Sequence, residues 1–273
     1  MKLKIRTILI LLGIIIYIGM GCITEKNTST YLKYDFNTGD EFVYDVQNVK
    51  LVSNNTDAKK IHIKMIFLND TYDNFIFTRT IMKQISEENK TFSEYTTKME
   101  QNGTISEIFS NNLIIPEIQP ELPNTIIYPE KKIRKGDLWT TSIKKSGNLI
   151  TPVTLTEYNI SGIKNYTCLG FKKISVDAGL FECVGIKSDT NYTLNRVINN
   201  TNGTVSIIIT GNVLGEDWVD LKSGFLVKSK YNVDSIIMTD LSEAFEQIGF
   251  EQFYRETPMT SQIVSELIEK NEM

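Results

Sequence analysis

Apolar and polar residues alternate along most of the chain with the period of two that is typical of half-buried strands. Between residues 40 and 51, for example, Phe42, Tyr44 and Val46 fall on one side, and Asp45 falls on the other. Further strands are predicted at 59–68, 74–85, 91–101, 105–109, 149–159, 164–175, 180–188, 191–198, 204–210, 216–221 and 225–239. Because short runs of turn-forming residues separate them, we predict a mainly β domain over residues 34–240, built on a curved antiparallel sheet.

A proline-rich segment, residues 113–132, interrupts this pattern and holds four of the six prolines of the chain. Proline cannot donate to a strand ladder, so this segment is not expected to be a central strand. Its interleaved Ile, Leu and Tyr residues indicate that it lies along the domain. The alternative is a hinge between two domains.

Two turn sequences resemble each other on either side of the proline-rich segment. Gly39-Asp40 precedes Phe42, and Gly136-Asp137 precedes Trp139. Each pair is predicted to form a turn that leads an aromatic residue into a strand. The similarity suggests a degenerate internal repeat.

The periodicity changes at the C-terminus, where one or two helices are predicted over residues 241–273. Asp240 is suited to cap the first helix, and Glu243 follows it at the spacing of a capping box. Thr257 and Pro258 are typical of the start of a second helix. Its apolar stripe comprises Ile263, Val264, Leu267 and Ile268. We expect this stripe to pack on the domain; the alternative is that it recruits a partner.

Residues 1–22 are typical of an export signal, because Lys2, Lys4 and Arg6 precede a long run of Ile and Leu. Two interpretations stay open: the segment is a cleaved signal peptide, or it is retained as a short membrane-spanning helix. In both, residues 23–33 form a polar tether. The predicted location is the cell membrane, with the body on the extracytoplasmic side.

The sequence Gly19-Met20-Gly21-Cys22 resembles the lipobox of secreted lipoproteins. Small residues there allow a peptidase to approach the backbone, and the resemblance implies that Cys22 carries the lipid. The sequence departs from the pattern at Gly19, where Leu, Ile or Val is usual. The alternative is that Cys22 is an ordinary apolar residue inside an uncleaved anchor.

The exported part is acidic. Without Lys2, Lys4 and Arg6, it has 26 basic residues against 33 acidic ones. This charge disfavours binding to nucleic acid and to anionic lipid headgroups. Two cysteines remain in this part, and an oxidising compartment permits a disulfide between Cys168 and Cys183. The alternative is a pair of buried thiols.

Ten acceptor triplets for N-glycosylation, Asn-x-Ser/Thr, occur in the chain. They begin at Asn27, Asn54, Asn69, Asn89, Asn102, Asn159, Asn165, Asn191, Asn199 and Asn202. Several fall at predicted turns, where a glycosyl transferase can reach them. The sequence therefore predicts a glycoprotein, and the alternative is an Asn-rich chain without glycans.

The order of motifs between residues 34 and 237 resembles that of a group of exported β proteins. The motifs are the Gly39-Asp40 turn, the proline-rich segment, the Gly136-Asp137 turn, the Ala-Gly-x-Phe hairpin in 176–183, the Trp-containing segment 216–220 and the Gly turn in 223–228. These proteins are similar in architecture to lipoprotein-localisation factors of the LolA and LolB type. The resemblance implies a single-domain incomplete barrel with a face for an apolar ligand, and it carries no catalytic residue.

The sequence offers little catalytic chemistry. His62 is its single histidine, which leaves no partner for a multi-histidine metal site or a histidine-dependent triad. Glu216, Asp217 and Asp220 are the densest acids near an aromatic residue, and we expect them to lie on a solvated hairpin whose Trp is in the core. No enzyme activity, cofactor or metal is predicted.

Three functional classes follow. The leading hypothesis is a membrane-tethered, non-enzymatic extracytoplasmic protein that binds a hydrophobic or lipid-like ligand on the concave side of its sheet. The second is a structural glycoprotein of the cell envelope. An enzyme is the remote third. The expected partners are the membrane, through the N-terminus, and an apolar ligand, while protein partners stay open.

Overall fold

The computed structural model describes residues 29–52, 55–68, 75–84, 91–110, 119, 126–151, 153–200, 203–246 and 253–272. They form one antiparallel sheet of eleven strands in the order β5-β4-β3-β2-β1-β11-β10-β9-β8-β7-β6. The strands are β1 Glu41–Val52, β2 Asn55–Phe67, β3 Phe75–Gln84, β4 Thr91–Glu100, β5 Ile105–Phe109, β6 Leu138–Ile150, β7 Thr154–Val176, β8 Gly179–Asn200, β9 Gly203–Asp220, β10 Leu226–Asp240 and β11 Tyr254–Asn271. The sheet curls into a half-barrel. The prediction of a mainly β, antiparallel, curved sheet is confirmed.

The sheet consists of two meanders, β1 to β5 and β6 to β11, joined where β1 pairs with β11. Each meander begins with the predicted Gly-Asp turn. In the first, the Asp40 carboxylate accepts a hydrogen bond from the amide of Asn37 at 2.8 Å; in the second, Asp137 accepts from Arg134 at 2.9 Å. The equivalent bonds support the internal repeat that the sequence suggested.

One face of the sheet, the inner face, is buried, and the alternating residues form the outer face. Two segments, residues 29–40 before β1 and residues 126–137 before β6, pack on the inner face, and we call them the covering segments. Tyr34 and Tyr128, one from each segment, are 1% and 2% exposed, and their rings lie 4.9 Å apart. The amides of the two tyrosines donate to the carbonyls of Gln101 and Asn102, both at 2.7 Å. The turn between β4 and β5 therefore holds both covering segments.

The C-terminal segment differs from the prediction. Residues 254–271 are strand β11, between β1 and β10, so the predicted second helix is wrong. Ile263 and Leu267 are buried on the inner face. A spacing of four suits both a helix face and a strand face, which is why the stripe was ambiguous. Pro258 directly precedes Met259, the first residue of β11 that pairs with β1. Its missing N–H group therefore removes no hydrogen bond to β1.

The first predicted helix is a single turn, α1, Ser242–Glu246. The side chain of Asp240 accepts a hydrogen bond from the amide of Ser242 at 2.9 Å, in the capping role expected of it.

Strands β7 and β8 are longer than predicted. The sequence indicated breaks near Gly162 and Asp189, but both residues lie inside continuous ladders. Polar residues such as Asn159 and Asn191 resemble turn residues, yet here they occupy the solvent-facing positions of a strand.

Part of the predicted tether belongs to the body. Thr30 forms an isolated bridge with Ile133, and Leu32 is buried. In the proline-rich segment, residues 126–132 are described, and Ile126 and Tyr128 are buried, as expected of a segment that lies along the domain. The predicted leader, residues 1–22, lies outside the described residues. No helix in the described part is long and apolar enough to span a membrane.

Candidate functional site

An open groove of about 870 Å³ crosses the outer face of strands β7 to β11. Two rows of residues cross it, each row with one residue from each strand. The first row is Ser161, Thr193, Thr210, Ile236 and Pro258. The second is Ile163, Asn191, Asn212, Asp234 and Thr260. Neighbouring strands in a sheet are about 4.8 Å apart, so each row offers side chains at that interval.

The groove carries hydrogen-bonding groups of both kinds. The amide group of Asn212 donates to Asp189 at 2.7 Å and to the side-chain oxygen of Asn191 at 3.1 Å. With its oxygen engaged, Asn191 has its NH₂ group as the donor for a ligand. Asn165 is similar, because its oxygen accepts from Thr140 at 2.9 Å. The groove thus provides oriented amide donors.

Acceptors and apolar contacts complete the lining. Asp234, Thr210 and Thr260 are exposed and supply a carboxylate and two hydroxyl groups. Ile163 and Ile236 are 53% and 42% exposed. This mixture of amide, hydroxyl and carboxylate groups with isolated aliphatic side chains suits a hydrophilic ligand that carries small apolar substituents.

Several predicted glycosylation sites lie on the same face. Asn159, Asn165, Asn191 and Asn199 are in β7 and β8, at outer-face positions, and Asn102 is in the turn between β4 and β5. Asn165 and Asn191 line the groove. The turn position expected for Asn102 is therefore confirmed, while the other four of these sites lie within strands. The sites at Asn27, Asn54, Asn69, Asn89 and Asn202 lie outside the described residues.

A second hollow, of about 460 Å³, surrounds Trp218 on the outer face. Trp218 lies over Gly185, where an added Cβ would meet the indole ring at 2.5 Å. The ammonium group of Lys172 is 3.5 Å from the centre of the ring, and the indole NH donates to Glu216 at 2.8 Å. Trp218 was expected in the core; it is partly buried and packs against the core, and it also contacts these two charged side chains.

Asp217 lies on the opposite side of β9 from Glu216 and Trp218 and is fully buried. It accepts a hydrogen bond from Tyr231. Burial raises the pKa of Asp217 to about 6, although the charge of Lys164 and the bond from Tyr231 act to lower it. Asp217 was expected on a solvated hairpin. Successive residues of a strand point to opposite faces, so the exposed position of Glu216 could have indicated that Asp217 is buried.

The aromatic residues of the inner face pack against one another. The rings of Phe36 and Phe67 are stacked 3.8 Å apart, and Phe225 packs against Phe42 at 4.6 Å and Phe181 at 5.5 Å. An apolar ligand was expected on this concave side of the sheet. Here the aromatic residues form the core together with the two covering segments.

Cys168 and Cys183 are free, buried thiols, so the predicted disulfide is not present. In the ladder, Cys168 is opposite Ile186 and Cys183 is opposite Lys172. Cys183 is thus three positions along β8 from the partner of Cys168, and alternation directs the two side chains to opposite faces. Cys22, the predicted lipid attachment site, lies outside the described residues.

No protein-family model matches the chain, and no curated protein matches it. Among solved structures, it is similar to a protein from Bacteroides fragilis described as exported, with a YmcC-like fold, at 12% identity and a TM-score of 0.39. It is also similar to a protein from Parabacteroides distasonis described as a lipoprotein, at 11% identity and a TM-score of 0.38. Each match covers 89% of this chain and 100% of the other. Similarity at this level assigns neither a family nor a function, and the likeness to LolA and LolB stays a prediction.

Proposed function

We propose that this chain is a membrane-tethered, extracytoplasmic, non-enzymatic protein that binds an uncharged, N-acetylated glycan in the groove across β7 to β11. The observation that carries the proposal is the groove itself, in which five adjacent strands offer amide, hydroxyl and carboxylate groups at strand spacing.

The sequence supports the location. A basic, then apolar, segment at residues 1–22 is typical of an export signal, and Cys22 is in a lipobox-like setting. The sequons and the excess of acidic residues in the rest of the chain are consistent with an exported body.

The chemistry of the lining supports the ligand class. Sugar hydroxyl groups both donate and accept, so they match a surface that carries amide donors beside the Asp234 carboxylate. The exposed Ile163 and Ile236 can contact acetyl methyl groups. The volume of the groove is within the range of small-molecule sites, about 300–1,000 Å³. Because the groove is open, a glycan longer than the groove can extend past either end of it.

The test is calorimetric titration of the full chain with the hexasaccharide of N-acetylglucosamine, with maltohexaose as the sugar without acetyl groups. We expect binding of the first sugar only. Asp234→Ala and Thr210→Ala should each weaken it by about tenfold, since each removes a hydrogen-bonding partner of the ligand.

Asn195→Ala is the matched control, because Asn195 is exposed on β8 but does not line the groove. It should bind like the unaltered chain. Equal binding of both sugars, or equal affinity of all three variants, would remove the groove as the glycan site.

A lipid-like ligand is the second candidate, and a specific feature favours it. A shallow hollow of about 330 Å³ lies among Ile208, Met238 and Tyr254, which are 37%, 46% and 67% exposed. This hollow is on the outer face, not on the concave side where the sequence placed the ligand. Titration with a fluorescent long-chain fatty acid tests it: Met238→Asp should abolish binding, and Ile163→Asp, in the glycan groove, should not.

The structural glycoprotein is supported by the exposed Asn159, Asn165 and Asn191, which lie on one face. Glycans there would cover the groove, so this alternative and glycan binding exclude each other.

A further inference from the structure

Four basic residues cluster in the loop before β6, within the sequence Glu130-Lys131-Lys132-Ile133-Arg134-Lys135. Lys131, Lys132, Arg134 and Lys135 are all exposed. One acid, Glu130, accompanies them in this stretch. We call residues 131–135 the basic loop.

The basic loop lies where the N-terminal segment joins the body. Thr30 donates its amide to the carbonyl of Ile133 at 3.1 Å and accepts from the amide of Ile133 at 2.8 Å. Ile133 is fully buried, so this junction is fixed to the core. The chain that leads to residue 22 therefore starts beside the basic loop.

We propose that the basic loop rests on the anionic headgroups of the membrane to which the N-terminus is tethered. This inference depends on the tethering in the proposed function and not on glycan binding. Ser29 follows Cys22 by seven positions, and the chain between them spans at most about 25 Å when extended. The tether thus keeps the loop within reach of the bilayer, and attraction to a charged surface acts once the two are about 8–10 Å apart.

The local charge of the loop opposes the charge of the whole chain. The excess of acidic residues in the exported part, 33 against 26 basic ones, led to the expectation that binding to anionic headgroups is disfavoured. Headgroups within a Debye length respond to the nearest residues, and in this stretch four cations outnumber the two flanking acids, Glu130 and Asp137. The charge that faces the membrane is therefore the positive charge of the basic loop, and not the negative charge of the chain as a whole.

An exposed aromatic side chain accompanies the cations. Tyr31 is 60% exposed, and the ammonium group of Lys132 is 5.4 Å from its ring centre. Tyr is enriched at membrane–water interfaces, with Lys and Arg beside it at the headgroup level. The pair is suited to a surface where the ring meets the interface and the amine meets a phosphate.

The loop is presented rigidly. The carboxylate of Asp137 accepts from the amide of Arg134 at 2.9 Å, and the amide of Gly136 donates to Cys168 of β7 at 2.8 Å. These bonds fix the backbone of the loop before contact, so less entropy is lost on binding.

The test uses the full chain reconstituted in vesicles that carry a dansyl-labelled lipid, with energy transfer from the native tryptophans as the readout. Neutral phosphatidylcholine vesicles are compared with vesicles that contain about 30 mol % phosphatidylglycerol. We expect stronger transfer in the anionic vesicles, and loss of the difference at about 0.5 M NaCl.

The variant with Lys131→Gln, Lys132→Gln, Arg134→Gln and Lys135→Gln should lose the difference. The control has Lys50→Gln, Lys59→Gln, Lys60→Gln and Lys83→Gln, which remove the same charge from the opposite end of β1 to β3, and it should retain the difference.

The inference would be overturned by equal energy transfer in neutral and anionic vesicles. It would also be overturned if both variants lost the difference between the vesicles to the same extent. Flotation of the same vesicles separates this outcome from failure of the tether. A chain that floats without charge dependence contradicts only the basic loop; a chain that does not float overturns the tethering and the inference together.

Discussion

Tyr231 of β10 donates its phenolic hydrogen to the carboxylate of Asp217 on β9, in the interior of the half-barrel. The pair depends on Gly215, the residue opposite Tyr231, because a Cβ there would lie 2.3 Å from the tyrosine ring. The second carboxylate oxygen of Asp217 and the hydroxyl of Ser188 are buried without a protein partner. The inner face thus contains an acid whose ionisation is opposed mainly by burial.

Stability should depend on the ionisation of Asp217. Its native pKa of about 6 is above the reference value of 3.8, so the native state binds the proton more tightly than the unfolded chain does. The stabilising contribution is fully present below the unfolded pKa and is lost as the pH rises through the native pKa. The loss is about 3 kcal/mol.

Urea unfolding at about pH 4 and pH 7.5 measures this contribution in the unaltered chain and in Asp217→Asn. The Asn variant cannot ionise at this position, so the advantage of the unaltered chain over it should shrink at the higher pH. The same free-energy difference at both pH values would contradict the raised pKa.

The covering segments depend on Gly103. Its φ is +94°, and an added Cβ would lie 2.2 Å from the carbonyl oxygen of Ile126 and 2.7 Å from the ring of Tyr34. We expect Gly103→Ala to lower the free energy of unfolding by about 3 kcal/mol, because left-handed strain and a backbone clash combine.

Gly136→Ala is the control for this prediction. Gly136 has a similar φ of +87°, but nothing lies within 4 Å of the added Cβ. Strain alone should cost about 1–2 kcal/mol. If the two variants unfold alike, the turn does not hold the covering segments.

The two equivalent turns should contribute differently to the free energy of unfolding. Asp40 is 3% exposed and Asp137 is partly exposed, and each accepts one amide within its turn. A more buried hydrogen-bonded carboxylate costs more to remove, so Asp40→Ala should destabilise by about 2 kcal/mol and Asp137→Ala by about 1 kcal/mol. Asp35→Ala removes an exposed ion pair with Lys33 and should change little. Thermal unfolding of the three variants checks the order; a cost for Asp35→Ala as large as for Asp40→Ala would contradict it.

The sequence predicted strands well where alternation was strict, as at Phe42, Tyr44 and Val46, because the period of two has no other common interpretation. It failed at Ile263 and Leu267, whose spacing suits both helix and strand, and only pairing with β1 and β10 decides between them. The groove was not foreseen, since its rows join residues that are up to about 100 positions apart in the chain.

Cys168 and Cys183 should behave as protected thiols. Burial raises the pKa of Cys183 to about 12 and also raises that of Cys168, so little thiolate is present at neutral pH. We expect iodoacetamide to modify neither residue in the native chain and both after unfolding in urea without a reductant. Peptide mass spectrometry reads each site separately. If the unfolded chain is modified only after a reductant is added, the two cysteines are joined in a disulfide, and the prediction of free thiols is wrong.

Glycan occupancy should follow backbone geometry. Asn191 lies in β8, which pairs with β7 on one side and β9 on the other, so its backbone is held on both sides. Asn102 lies in a turn that is followed by Gly103. A transferase reaches a turn more readily than a strand that is paired on both sides, so we expect glycopeptide mass spectrometry of the native protein to find a glycan at Asn102 and none at Asn165 or Asn191. Full occupancy of Asn191 would close the groove to other glycans, contradict the proposed binding function and favour the structural glycoprotein.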